Sequence, residues 1–148
     1  MKTSFLGMAL AGALALTAWA GETPSAPGAS VYIVNLEDGA TVQSPVRVVF
    51  GLSGMGVAPA GVEKENTGHH HLFLNRPPLG EGEGEEGADE FQYAMPATDN
   101  LIHFGGGQTE TVLELAPGTH TLQLVLGDFA HVPHNPPVMS DVITITVE

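Results

Sequence analysis

After its first twenty residues the sequence predicts an all-β chain, an immunoglobulin-like antiparallel β-sandwich of about seven strands. Three observations carry this: apolar side chains recur at every second position, turn residues break the pattern often, and nothing beyond Ala20 forms a convincing amphipathic helix. Val31 to Val34 reads as the first strand, closed by the Glu37-Asp38-Gly39 turn, and Ser44-Pro45 enters the second. There Val46, Val48, Phe50 and Leu52 alternate with Arg47, Val49, Gly51 and Ser53, the two-faced pattern of a sandwich strand. A third strand covers His69 to Asn75, and a weakly patterned fourth runs from Leu101 to Phe104 before Gly105-Gly106-Gly107. Thr109 to Leu115, an Ala116-Pro117-Gly118 turn and His120 to Gly127 follow. A proline-rich loop then leads to Asp141 to Val147, which keeps Ile143, Ile145 and Val147 on one face.

The first twenty residues read as a secretory signal peptide: Lys2 gives a positive start, Phe5 to Trp19 an apolar run, and Ala18-Trp19-Ala20 a small-x-small cleavage pattern. The apolar run is shorter than the ~20 residues that span a bilayer, so cleavage after Ala20 is expected rather than a retained anchor. No later segment has the composition to insert stably in a membrane. No twin-arginine pair precedes the run, so the expected route is ordinary unfolded export, to the periplasm or beyond the cell. The expected layout is a signal peptide at 1–20, a flexible segment at 21–30 and one β-sandwich domain at 31–148. Within it, Gly80 to Glu90 alternates glycine and glutamate, and a disordered acidic loop is expected at about 79–91.

The formal net charge is −13, and all 17 acidic residues follow the predicted cleavage site, against Arg47, Lys64 and Arg76. Such a surface repels nucleic acid and anionic lipid and attracts cations or a basic partner such as another periplasmic protein. The absence of cysteine excludes a lipoprotein anchor and any disulfide.

The histidines are the strongest functional signal. Six of the seven fall in Gly68-His69-His70-His71, His103-Phe104-Gly105-Gly106-Gly107 and His131-Val132-Pro133-His134. In strands ordered A to G, the B–C, D–E and F–G connections share one end of the sandwich, which brings Ser53 to Gly68, Gly105 to Gln108 and Asp128 to Ser140 together. His69 and His71, two apart on a strand, point the same way roughly 7 Å apart, while His70 looks inward with Leu72 and Leu74 as a hydrogen-bonded inner residue. His120 starts its strand at the far end and reads as a surface residue. Pro133, Pro136 and Pro137 restrict the loop that carries His131 and His134. Taken singly, each feature has a bland explanation, because an isolated histidine is more often a surface residue than a ligand. Together they nominate His69, His71, His103, His131 and His134 as ligands of a copper or zinc ion, since imidazole suits both. Secondary candidates are His70, Asp128 as an acceptor orienting an imidazole, and Met55 and Met139, whose thioethers favour cuprous copper.

Several long stretches also carry a family resemblance. They are Asp38-Gly39-Ala40-Thr41-Val42 with Ser44-Pro45, Phe50 to Gly61, Asn66 to His71, His103 to Glu110, and Leu126-Gly127-Asp128 leading to His134. The chain resembles the exported bacterial family called domain of unknown function 4399 over nearly all of the region after residue 20. The resemblance implies no activity, and beside it the Gly80 to Glu90 segment reads as an embellishment of this member.

Three classes of function follow. The first is a periplasmic metal-binding protein. The second is a metal-dependent enzyme with an open ligand position, in which Glu63, Glu65, Asp128 or Glu110 acts as base. The third is a non-catalytic envelope, adhesion or protein-interaction module that uses the Gly- and Pro-rich loops. No hydrolase signature or Ser-His-Asp spacing stands out.

Overall fold

The computed structural model describes residues 21–83, 87 and 89–148; the expected signal peptide at 1–20 lies outside them, as do 84–86 and 88 of the acidic segment. Nine strands are formed among the described residues. They are β1 (Ser30–Ile33), β2 (Thr41–Val42), β3 (Val46–Ser53), β4 (Gly56–Val57), β5 (Thr67–Leu74), β6 (Leu101–His103), β7 (Glu110–Leu113), β8 (Gly118–Gly127) and β9 (Ile143–Val147). β1, β3 and β7 make one antiparallel sheet; β2, β9, β8, β5 and β4 make the other, with β6 also beside β5. No described helix is long and apolar enough to cross a membrane.

The two sheets bury a shared core because alternate residues of each strand face inward. Val48 and Phe50 of β3 meet Leu72 and Leu74 of β5, Leu122, Leu124 and Leu126 of β8, and Ile145 and Val147 of β9. The opposite face of the larger sheet is also covered. Phe73 and Val125 pack there against Leu79, Met95 and Leu101, with Phe91 alongside. β5 is consequently buried on both faces from Gly68 to Leu74.

The seven expected strands all form, with ends shifted by up to two residues, and the short β2 and β4 are additions. One placement differs from the strand order A to G. The fourth expected strand, β6, pairs antiparallel with β5, so it belongs to the larger sheet. Leu101 explains this, since it buries into the outer cluster with Phe73 and Val125 and leads the chain along that face. The direction of β6 is unchanged, so His103 still arrives at the end where β5 begins and β8 finishes.

The flanks of the acidic segment are tied down. Leu79 is buried and donates its N–H to Gln123 Oε1 at 3.0 Å. Glu90 accepts from the Gly80 N–H at 3.0 Å and pairs with Arg76, whose guanidinium lies 4.2 Å from the centre of the Phe73 ring.

Candidate metal centre

β5 supplies two imidazoles because its outward positions are 69, 71 and 73. Register then sets the neighbours: His69 lies opposite Gly127 of β8, and His71 lies between Val125 of β8 and His103 of β6. The fourth imidazole comes from the turn after β8. Asp128 Oδ1 accepts the N–H groups of Ala130 (2.8 Å) and Val132 (2.9 Å), and its Oδ2 accepts the Thr23 hydroxyl at 2.6 Å. These bonds close a tight loop in which His131 adopts a left-handed backbone, φ 69°, and directs its ring over β5.

The four rings form one group. Centroids are 4.7 Å apart for His69 and His71, 4.5 Å for His103 and His131, and 5.9 Å for the widest pair, His71 and His131. One nitrogen from each of the four lies within 4.8 Å of the others. Bonds of about 2.0–2.1 Å to a tetrahedral ion would set nitrogens about 3.3 Å apart, so small side-chain rotations suffice to close the set. His69 Nε2 and His131 Nδ1 are already 3.0 Å apart, at hydrogen-bond distance. By contrast His69 Nδ1, both nitrogens of His71 and His103 Nε2 are buried without a hydrogen-bond partner. An orphaned polar atom of this kind costs about 1–3 kcal/mol, so a cluster of them is expensive unless something ligates it.

Burial keeps His69, His71 and His103 neutral. Burial, reinforced by His103 and His131, lowers the pKa of His69 to about 4, with Asp128 acting in the other direction. Burial and the neighbouring imidazoles lower His71 to about 2, and burial followed by His131 lowers His103. Neutral imidazole is the form that binds metal, so the lone pairs are available at neutral pH.

Room for the rings is made by glycine. A Cβ on Gly127 would lie 2.5 Å from His71 Cε1, and one on Gly105 would be closer still to His103. We expect Gly127→Ala to weaken metal binding at least about tenfold and to destabilise the metal-free fold by about 1–3 kcal/mol, read by metal competition and urea unfolding. Unchanged affinity would mean that the His71 ring does not need its present position.

The other sequence candidates are placed elsewhere. His134 is fully buried but apart from the cluster: its ring nitrogens face Leu126 O at 3.3 Å and Thr67 O at 3.2 Å, bracing β8 against the start of β5. His70 does point into the sandwich, 5.1 Å from the Phe50 ring, yet neither nitrogen makes the expected hydrogen bond. Burial lowers its pKa. Asp128 orients no imidazole directly, because its oxygens are occupied by the turn and Thr23; it acts by shaping the loop under His131. Met55 packs against the inner core, and Met139 is 45% exposed beside β8. His120 bonds to Asn75 Nδ2 and Ala116 O, remote from the site. Of the carboxylates considered as bases, Glu110 pairs with Arg47 on the smaller sheet, while Glu63 and Glu65 line a cavity of about 430 Å³ with Asp128. No imidazole lines that cavity.

Sequence reasoning missed Met95, which is 6% exposed and donates its N–H to His131 O at 2.9 Å. It lies in an irregular segment with no periodic signal.

Residues 48–148 match the family model described as Domain of unknown function (DUF4399). The chain belongs to this family. The matched region holds all four clustered histidines, the Asp128 turn and His134, while β1 and β2 precede it. No curated protein and no solved structure matches the chain. Membership of DUF4399 therefore adds no reaction or ligand, and the chemistry rests on the imidazoles themselves.

Proposed function

We propose that this is an exported protein of the periplasm that holds one transition-metal ion, copper or zinc, through His69, His71, His103 and His131. The observation that carries the reading is the convergence of four imidazole donors within 4.8 Å, with several buried nitrogens lacking any other partner. Four nitrogen donors complete a tetrahedral shell without water, which favours keeping or passing an ion over activating a water molecule. The acidic surface would draw cations toward them.

The test is metal content by plasma mass spectrometry on untagged protein recovered from the periplasm, repeated after stripping and titration with cuprous, cupric and zinc ions. About one equivalent of a single metal per chain is the expected result. Protein that takes up no stoichiometric metal under any of these conditions overturns the reading and leaves a surface for another envelope component as its replacement.

A further inference from the structure

Met55 packs against the inner core and Met139 is exposed, whereas Met95 lies beside His71. The point that a Cβ on Gly127 would occupy is 2.5 Å from His71 Cε1 and 3.0 Å from Met95 Cε, so the thioether methyl and the His71 ring share the space above that glycine. The hydrogen bond from Met95 N–H to His131 O holds the same residue to the ligand-bearing turn. On its other side Met95 lines a cavity of about 360 Å³ with Arg76, Glu90, Tyr93 and Leu101. Met95 thus stands between this cavity and the imidazole cluster.

Charge favours a particular ion. The nearby carboxylate, Asp128, has both oxygens committed to hydrogen bonds, so the donors available to an ion are neutral. Burying a cation among neutral groups carries a desolvation cost that rises with the square of its charge, which disfavours a dication relative to a monocation. A thioether adds a soft donor, and soft donors select cuprous copper over zinc.

We propose that Met95 supplies a thioether ligand in place of one of the four imidazoles, making this a cuprous-copper site reached from the cavity behind Met95. The proposal rests on the metal-binding reading above. Packing alone accounts for Met95 if its sulfur is idle, since it also fills the outer cluster with Phe73, Leu79, Leu101 and Val125. Leucine would fill that space equally well, which makes Met95→Leu the discriminating change.

Cuprous and zinc affinities of the full chain and the Met95→Leu variant are to be measured by anaerobic competition with a chromogenic chelator. X-ray absorption at the copper edge is recorded on the cuprous-loaded parent. Expected are a loss of cuprous affinity of at least about tenfold, a change in zinc affinity of less than about threefold, and a sulfur scatterer beside nitrogen in the parent spectrum. Equal losses for both metals, or no loss for either, overturn the proposal and leave Met95 as filler. A parent spectrum without sulfur overturns it even if the variant fails to fold. Parent protein that binds neither ion removes the metal-binding reading itself, an outcome distinct from the other two.

Discussion

Replacing His69 and His71 together by alanine is expected to abolish stoichiometric metal binding and to leave the sandwich folded. Structural zinc sites are worth about 10–16 kcal/mol over four ligands, so losing two donors removes at least about 5 kcal/mol, more than three orders of magnitude in affinity. Stability of the metal-free chain responds much less. Both rings are fully buried, so alanine leaves cavities, but it also eliminates the three unpartnered nitrogens of the pair. Titration with the preferred ion and circular dichroism read the two effects. His134→Ala should behave in the opposite way, retaining the ion while losing about 1–3 kcal/mol of stability, because it removes a buried ring and the hydrogen bond its N–H makes to a backbone carbonyl. A double variant that still binds one equivalent sinks the ligand assignment.

Mild acid should destabilise the metal-free protein. In the unfolded chain an imidazole titrates near 6.5, whereas His69 titrates at about 4 and His71 at about 2 in the folded protein. Below pH 6.5 the unfolded state therefore takes up protons that the folded state refuses, so stability falls with pH. The loss continues to about pH 4 for His69 and to about pH 2 for His71. Each imidazole held neutral contributes about 1.4 kcal/mol per pH unit across that window. The expected drop in Tm is about 10 °C between pH 7 and pH 5, and it should be smaller in the His69/His71 double variant, where only His70 and His103 still resist protonation. Protons compete weakly for these rings, so a bound ion should be retained at pH 5.5 and lost near pH 4. A metal-free Tm that is flat from pH 7 to 5 would contradict the burial of neutral imidazoles.

Much of the fold was readable because β3 obeys the simple rule, with Val46, Val48 and Phe50 buried and Arg47 exposed. β5 was harder, since a strand covered on both faces shows no alternation in burial. Its faces could still be assigned because polar rings at 69 and 71 are out of step with Leu72 and Leu74. What the sequence hid was tertiary. His131 and His134 look equivalent in a His-Val-Pro-His run, and only the Asp128 bonds, with the left-handed backbone at His131, separate the ring that joins the cluster from the one that braces two strands. The approach of Met95 depends on how an irregular segment drapes over the larger sheet, for which apolar spacing carries no signal.

His69 and His131 are 62 residues apart in the chain and in contact in the fold. An ion shared by these residues, His71 and His103 would tie three distant segments together, restricting the unfolded chain much as a disulfide does, and this chain has no cysteine with which to make one. Occupancy of the four-histidine site would accordingly be a property of the assembled sandwich: no fragment shorter than the span from β5 to the turn after β8 contains all four ligands.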